Sequence, residues 1–325
     1  MLKVTVITPS YNQGKYLEQT IQSVLSQNWA HLEYIIIDGG SQDDSVEIIR
    51  KYEKQISYWT SEEDNGQSGA INKGLKLATG DIITWLNSDD QFVPGALQDV
   101  VNEFEKHPGV DVVHGKTILF GRGISETIRG AKHNSLPQAY LAGMAFPQPS
   151  SFFSRRILNK IGSLDESLHY GMDYDFFVRI YLVSEFVQVE SIFSKYRLHP
   201  KSKSMKDHAK FAQEWAKIFS KVMVSSPGSG EVISHLIHLN CFVPCEARYV
   251  TSKTFDSTFL TKSFLQFVLF QITFYYQAGE FEEVRKFIAY ARKVSPEFFL
   301  ENELNKVYWR ARLLPWKLVM ILRNL

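Results

Sequence analysis

Cysteine is nearly absent from this chain of 325 residues, which contains only Cys241 and Cys245. So few thiols exclude a disulfide-stapled scaffold and fit a reducing compartment. A strong charge of either sign is also missing, because 36 Lys and Arg residues face 35 Asp and Glu residues and leave a net charge of +1. This balance gives no indication of a nucleic-acid-binding protein.

Long hydrophobic segments are missing as well. The longest apolar run, near residues 264–276, is interrupted by Gln266 and Gln271 and is too short to span a bilayer. The chain enters a strand pattern at residues 4–8 without a hydrophobic leader before it. We therefore expect a cytoplasmic protein, and a peripheral contact at the inner face of the cell membrane stays open.

Two phosphate-binding signatures are absent too. The chain has neither a Walker-type Gly-Lys-Ser/Thr loop nor a Gly-x-Gly-x-x-Gly segment, which disfavours ATPase and dinucleotide-binding functions.

The first 115 residues alternate strand patterns with amphipathic helix patterns. The predicted strands are 4–8, 32–37, 56–60, 82–86 and 110–114, and the predicted helices are 14–27, 68–79 and 94–106. A further helix is expected after Ser41, which resembles an N-cap. Repeated βα units of this length predict an α/β fold with a mostly parallel central sheet flanked by helices.

The stretch from Ile82 to Asp90 is the most informative part of the chain. Its apolar half predicts a buried strand, and the polar sequence Asn87-Ser88-Asp89-Asp90 stops that strand abruptly. Two adjacent carboxylates at this point repel each other and lose hydration, which favours a divalent cation held by oxygen ligands. The alternative is a helix cap at Asp90 or a plain polar turn.

Polar segments follow three other predicted strands: 9–12 (Pro-Ser-Tyr-Asn), 38–41 (Asp-Gly-Gly-Ser) and 64–67 (Asp-Asn-Gly-Gln). Because ligands of open α/β sheets bind at the carboxyl ends of the strands, the four segments together predict a binding crevice. A carboxylate such as Asp38 is able to accept hydrogen bonds from a base or ribose, and the glycines let a backbone approach a ligand closely.

These four motifs, in this order and spacing, resemble the family 2 glycosyltransferases, and in detail the branch that builds bacterial O-antigen and other surface polysaccharides. The resemblance covers residues 1–205 and implies a GT-A catalytic domain, in which a nucleotide-binding half and an acceptor-binding half share one sheet. Residues 206–325 are expected to form a helical C-terminal region that makes acceptor, membrane or oligomer contacts.

The resemblance also implies roles for individual residues. The residues expected at the donor, a UDP-sugar, are Pro9, Ser10, Tyr11, Asp38, Asp64, Lys73, Asn87 and Ser88. The residues expected to hold Mn²⁺ or Mg²⁺ are Asp89, Asp90 and His199. Asn87 stands where the family has an acid, so the site loses one negative charge and the diphosphate would complete more of the ion's coordination.

Asp173 begins a predicted helix that buries Phe176, Phe177 and Ile180. The helix N-terminus favours an ionised carboxylate, although simple N-capping explains the pattern as well. The resemblance matches Asp173 to the catalytic acid of the family's Glu-Asp pair and puts Met172 in place of the Glu. It therefore implies that Asp173 removes the acceptor proton in a single displacement with inversion. Asp175 is the second candidate, with a structural role or acceptor binding as its alternatives.

A basic segment comes next, at residues 197–203. Arg197, Lys201 and Lys203 are expected to neutralise phosphate charge. For His199 a purely structural role is the alternative to ligand binding. Residues 132–145 are expected to form a helix or a mobile loop over the site.

The C-terminal third is rich in helix patterns, at 231–241, 262–277, 280–294 and 301–325, with a linker at 225–230. The sequence around Gly279 predicts a helical hairpin. Residues 308–317 mix aromatic and basic side chains, which fits contact with an anionic membrane surface or ordinary helix packing equally well.

The function expected from these features is transfer of a sugar from a UDP-sugar to a hydroxyl of a glycan or lipid-linked acceptor, in bacterial surface polysaccharide synthesis. One alternative is a sugar-phosphate nucleotidyltransferase, which the N-terminal loop disfavours because it lacks a Gly-rich phosphate loop with an Arg. The other is a catalytically weak nucleotide-sugar-binding protein, for which Asn87 and Met172 are the best evidence.

Overall fold

The structure, a computed structural model, describes residues 1–130, 136–200, 202–203 and 207–313. These residues divide into two compact units, the first within Met1–Asn134 and Met144–Pro200 and the second within Ser135–Gly143 and Lys201–Leu325. The predicted α/β class with a helical C-terminal extension is confirmed.

The first unit is built on one sheet, to which nine strands of the described residues contribute. They are β1 Val4–Ser10, β2 Leu32–Asp38, β3 Tyr58–Ser61, β4 Ile82–Trp85, β5 Gln91–Phe92, β6 Val112–Gly121, β7 Ile124–Arg129, β8 Ser151–Ser154 and β9 Phe186–Arg197. Their order is β3-β2-β1-β4-β8-β6-β9-β5, and β7 pairs with β6.

Within this order, β8 and β5 run opposite to the other strands. Strands β3, β2, β1 and β4 are mutually parallel. Strand β8 is antiparallel to both β4 and β6, so β6 runs in the direction of β4 again and pairs in parallel with β9. The carboxyl ends of β1, β2, β3, β4 and β9 therefore point to the same side of the sheet.

The helices that precede residue 182 are α1 Gly14–Leu25, α2 Ser45–Lys51, α3 Gln67–Leu77, α4 Ala96–Lys106, α5 Leu136–Ala142, α6 Leu158–Ile161 and α7 Met172–Tyr181. All except α5 belong to the first unit. The N-cap predicted at Ser41 is wrong: α2 begins only at Ser45, because the backbone N–H and the hydroxyl of Ser41 both donate to the Asp38 carboxylate.

An aromatic cluster fixes α7 on the sheet. Trp85, at the end of β4, is buried, and its ring centroid lies 5.5 Å from that of Phe176 and 5.6 Å from that of Phe177. Phe153 of β8 contacts the same indole. Aromatic groups of this size dominate core energetics, so the start of α7 has a defined position relative to the end of β4.

Helix α3 lies unusually close to β1. A Cβ atom added at Gly74 would lie 2.5 Å from Cγ2 of Ile7, a distance that real Cβ atoms do not reach. Glycine inside a helix costs about 1 kcal/mol relative to alanine. Glycine is nevertheless required at position 74, because any side chain there would clash with Ile7 and displace α3 from β1.

The described residues of the second unit form α5 and six later helices, α8 His208–Ser225, α9 Gly230–His238, α10 Ser257–Ala278, α11 Phe281–Val294, α12 Pro296–Glu301 and α13 Leu304–Leu313. The predicted hairpin is confirmed: α10 ends at Gly279, whose φ of 83° is left-handed, and α11 follows. Of residues 132–145, only those from 136 onward are described, and α5 packs against α10. Among the described helices, none combines the length and the apolar composition needed to cross a bilayer.

Candidate active site

The polar segments after the first four strands lie along one edge of the sheet, as predicted. Ser10 pairs with Asp38 across β1 and β2, and Asp38 pairs with Ser61 across β2 and β3. On the other side of β1, Ile7 pairs with Trp85, two residues before Asn87. The parallel registers therefore bring together residues that are 78 positions apart in the chain.

Asp38 is the buried anchor of this edge. It accepts hydrogen bonds from the Ser41 N–H at 2.8 Å, the Ser41 hydroxyl at 2.6 Å and the Ser61 hydroxyl at 2.7 Å. Ser41 in turn accepts a hydrogen bond from the N–H of Asn12 at 2.7 Å. These hydrogen bonds join the loops after β1 and β2, so this edge of the sheet has a defined geometry without a ligand.

The segment after β1 combines a buried hydroxyl with an exposed ring. Ser10 is buried, and its Oγ has no hydrogen-bond partner among the described residues. Tyr11 is 61% exposed, whereas Pro9 is buried. A buried hydroxyl without a partner is costly, and an exposed aromatic ring beside it offers a flat surface for a base.

The predicted donor residues Asp64 and Lys73 lie on either side of the start of α3. Asp64 accepts a hydrogen bond from the N–H of Gly66 at 2.7 Å, and its carboxylate abuts Gly39, where an added Cβ would lie 2.8 Å from Oδ2. Lys73 pairs with Glu62 at 3.1 Å on a partly exposed surface. An exposed pair of this kind is weak, so a ligand is able to displace it.

The acidic loop after β4 holds its two carboxylates differently. Oδ2 of Asp89 lies 2.9 Å from Nε2 of His199, which precedes Pro200 at the end of the first unit. Asp90 is 1% exposed, and its Oδ1 accepts a hydrogen bond from the N–H of Arg197 at 2.8 Å. Burial, followed by the charge of Asp89, raises the pKa of Asp90 well above its usual range.

These positions separate the three residues that the sequence assigns to a cation. Asp89 is partly exposed and lies beside the buried His199, whereas Asp90 is 1% exposed and its Oδ2 has no hydrogen-bond partner among the described residues. Asp90 is therefore held by the backbone at the end of β9. Of the residues described, no group of three or more His, Cys, Asp or Glu side chains forms a complete metal site.

Two protein donors still fit Mg²⁺ or Mn²⁺ when a diphosphate is present. Mg²⁺ commonly keeps several waters and is held by one or two carboxylates together with substrate phosphates. Asp89 and His199 supply one carboxylate and one imidazole at the edge where a donor would lie. The residues present therefore fit a shared site, in which the protein contributes the smaller part of the coordination.

Asp173 lies in the first turn of α7 and is partly exposed. Its Oδ1 accepts a hydrogen bond from the N–H of Tyr174 at 2.8 Å. Asp175, the second candidate for the base, is buried, and its Oδ2 accepts a hydrogen bond from Nε of Arg179 at 2.8 Å. Of the two candidates, Asp175 is thus buried and bonded to Arg179, whereas Asp173 is the partly exposed carboxylate.

The start of α3 connects the acidic loop to the start of α7. Nε2 of Gln67 donates to Oδ1 of Asn87 at 2.8 Å, and the hydroxyl of the next residue, Ser68, lies 2.8 Å from the sulfur of Met172. Consecutive residues of one helix therefore touch the two segments that carry Asp89 and Asp173. The sequence motif contains Gln67 and Ser68, but their contacts are formed only by the fold.

Arg197 is engaged differently from the sequence prediction. Its Nε donates to the backbone oxygen of Asp89 at 2.8 Å, and its Nη2 donates to Oε1 of Gln19 at 2.7 Å. Its guanidinium therefore makes contacts within the protein, and the predicted role in phosphate neutralisation stays a prediction. Lys201 lies outside the described residues.

Comparison with known proteins agrees with this geometry. The sequence profile described as glycosyl transferase family 2 matches residues 5–162. The uncharacterized glycosyltransferase Rv1514c of Mycobacterium tuberculosis is 34% identical over 203 residues, which cover 59% of this chain and 74% of the relative. The uncharacterized glycosyltransferase RP339 of Rickettsia prowazekii is 28% identical over 209 residues, covering 60% of this chain and 64% of that protein.

Solved structures share the fold at low sequence identity. S. aureus TarS 1-349 in complex with UDP has a TM-score of 0.61 at 18% identity, covering 96% of this chain and 87% of that chain. The mannosyltransferase PcManGT from Pyrobaculum calidifontis, in complex with GDP-Man and Mn²⁺, has a TM-score of 0.56 at 16% identity, covering 95% and 85%. The predicted GT-A fold is confirmed by this likeness. Together with the profile match and the Mycobacterium relative, the chain belongs to glycosyl transferase family 2 and is a glycosyltransferase.

Proposed function

We propose that this glycosyltransferase takes its sugar from a UDP-sugar and transfers it, with inversion, to a hydroxyl of a glycan or lipid-linked acceptor in bacterial surface polysaccharide synthesis. The observation that carries the proposal is the pair of contacts at the start of α3. Gln67 touches the loop of Asp89, and Ser68 touches the start of the helix that carries Asp173. The segments that carry a leaving-group site and a candidate general base therefore both contact the first turn of α3.

The chain's own residues supply most of the chemistry. The exposed ring of Tyr11 packs on the uracil of the donor, and Asp38 with Ser41 orients the nucleoside. Asp89 and His199 would hold Mn²⁺ or Mg²⁺, which, when bound, stabilises the negative charge of the departing diphosphate. Asp173 accepts the proton of the acceptor hydroxyl, whose oxygen attacks the anomeric carbon from the side opposite to the nucleotide.

The donor is tested by thermal shift with nucleotides and nucleotide-sugars. A ligand that binds only the folded protein raises the free energy of unfolding, by about 2.7 kcal/mol at a concentration of 100 times its Kd. The melting temperature rises as a consequence. We expect UDP and one or more UDP-sugars to stabilise the protein, and Mn²⁺ to increase that effect. Stabilisation by GDP-sugars with none by UDP would contradict the assignment of uracil as the nucleobase of the donor.

A catalytically weak binding protein remains the second candidate, because Asn87 and Met172 replace two family acids. Asn87 carries a hydrogen bond from Gln67, and Met172 one from Ser68, so both substitutions are built into the packing. Tight UDP binding without transfer to any membrane-lipid acceptor would favour this candidate. Pyrophosphate release from UTP and a sugar phosphate would instead indicate a nucleotidyltransferase.

A lipid-linked acceptor would bring the protein to an anionic membrane surface, and α13 has the side chains for that contact. Trp309 is 51% exposed, and Lys306, Arg310 and Arg312 are exposed around it. From residue 304 to the end, the sequence contains five Lys and Arg residues and no Asp or Glu. Basic residues with an aromatic anchor are typical of segments that bind anionic lipid at the interface.

Vesicle sedimentation tests this contact. We expect the full-length protein to bind vesicles that contain an anionic lipid and not neutral phosphatidylcholine vesicles. The double variant Arg310→Gln and Arg312→Gln should reduce the partition coefficient by roughly tenfold or more, because each basic residue contributes about 1 kcal/mol at such a surface. The matched control is Arg50→Gln with Lys54→Gln, which removes two charges from the other unit; equal losses in both double variants would contradict a contact through α13.

A further inference from the structure

Arg197, the last residue of β9, contacts both acidic residues of the loop after β4. Its backbone N–H donates to Oδ1 of Asp90 at 2.8 Å, and its side-chain Nε donates to the backbone oxygen of Asp89 at 2.8 Å. The first contact depends only on the strand, whereas the second depends on the guanidinium group. One residue therefore fixes the carboxylate of Asp90 and the main chain of Asp89.

The guanidinium itself is held on several sides. It lies over the ring of Phe120 at 4.3 Å and over the ring of Tyr16 at 4.8 Å, and its Nη2 donates to Gln19 at 2.7 Å. Planar stacking together with directed hydrogen bonds is a property of arginine that lysine does not share. The group thus joins α1, β6 and the acidic loop in one defined geometry.

The same packing reaches His199. The ring of Tyr16 lies 4.9 Å from the imidazole of His199, whose Nε2 is 2.9 Å from Oδ2 of Asp89. Arg197 therefore contacts the main chain of one candidate ligand and the ring that packs on the other. Displacing the guanidinium would disturb both donors without removing either.

We infer that Arg197 is a positioning residue, which sets the separation and orientation of Asp89 and His199 at the diphosphate site. The inference rests on the proposed function, since it assigns a purpose to the metal site proposed there. It differs from a charge role, in which the guanidinium would attract phosphate directly. A positioning role requires the planar, multidentate shape of arginine, whereas a charge role requires only a cation.

The test is the Mn²⁺ dependence of UDP binding, measured by calorimetry on the full-length protein at a series of Mn²⁺ concentrations. Partners behind metal ligands typically change metal affinity by about 10- to 100-fold when they are replaced. We expect Arg197→Lys and Arg197→Gln alike to raise the half-saturating Mn²⁺ concentration by about tenfold or more. UDP binding in the absence of metal should stay close to that of the wild type.

The chain offers a matched control in Arg156. Its Nε lies 2.7 Å from Asp111, and its Nη2 donates to the backbone oxygen of Val110 at 3.0 Å, so it too bonds a carboxylate and a carbonyl. Asp111 precedes β6 and therefore lies at the opposite edge of the sheet. Arg156→Gln should lower the melting temperature and leave the Mn²⁺ dependence unchanged.

Three outcomes would overturn the inference. Wild-type Mn²⁺ dependence in Arg197→Lys, with a loss only in Arg197→Gln, would indicate a charge role, and no change in either would exclude both roles. If UDP binding by the wild type does not depend on Mn²⁺, the proposed metal site itself is refuted. The wild-type measurement therefore tests the proposed function separately from the role of Arg197. Where the Arg197 variants fail to fold, Gln19→Ala removes one anchor from an exposed side chain and should raise the Mn²⁺ requirement to a smaller extent; an unchanged requirement there would contradict the inference.

Discussion

Asp173→Asn is expected to lower the rate of sugar transfer by about 10³-fold while UDP affinity stays unchanged. A positioned general base contributes about 10²- to 10⁴-fold, and an amide cannot accept the proton of the attacking hydroxyl. The amide oxygen is still able to accept the hydrogen bond from the Tyr174 N–H, so the helix start should keep its geometry. The measurement is UDP release from a stabilising UDP-sugar with bacterial membrane lipids as acceptor, beside calorimetry of UDP binding.

The comparison variant for this experiment is Asp175→Asn, on the same helix. Because Asp175 is buried and paired with Arg179, the loss of its charge should lower the melting temperature. Transfer by the folded protein should persist at temperatures below that transition. Persistent transfer in Asp173→Asn, combined with complete loss in folded Asp175→Asn, would move the base to Asp175.

The second large effect is expected at Asp89. Asp89→Asn keeps a side chain of the same shape beside His199 but removes the charge that would hold a divalent cation. Removing one electrostatic contact to a developing anion typically lowers kcat by about 10²- to 10³-fold. We therefore expect a loss of this size in transfer, together with loss of the extra stabilisation that Mn²⁺ gives to the UDP complex in thermal shift.

Asp90→Asn is the matched variant in the same loop. Burial and the charge of Asp89 raise the pKa of Asp90, and an amide keeps the shape of this side chain without its charge. Its Oδ1 would still accept the hydrogen bond from the Arg197 N–H. Transfer should stay near the wild-type rate, and a loss as large as that of Asp89→Asn would identify Asp90 as a ligand.

Much of the first unit follows from local sequence patterns. The alternation of strands and helices up to residue 115 and the four polar strand ends were predictable, because parallel strands must return to the same edge. The hairpin at Gly279 was predictable for a local reason too, since a left-handed glycine ends a helix. The N-cap at Ser41 failed because the carboxylate of Asp38, three residues earlier, captures both of its donors.

The contacts that assemble the site were not predictable in this way. Arg197 bonds the backbone of Asp89 across 108 residues of sequence, and no periodicity encodes that distance. Its basic character suggested a phosphate ligand. The packing of its guanidinium was not foreseen, because the rings of Tyr16 and Phe120 come from distant elements. The parallel pairing of β9 with β6, which brings these groups together, depends on the whole topology of the sheet.

The absence of a side chain at Gly74 has an effect well beyond its own position. Because Gly74 carries no side chain, the backbone of α3 packs directly against the side chain of Ile7 in β1, and this contact sets the distance between the helix and the strand. The turn of α3 that contacts Asn87 and Met172 begins at Gln67, seven residues before Gly74 on the same helix. A hydrogen atom in place of a methyl group at Gly74 thus influences how far the start of α7 lies from the loop after β4, although Gly74 contacts neither.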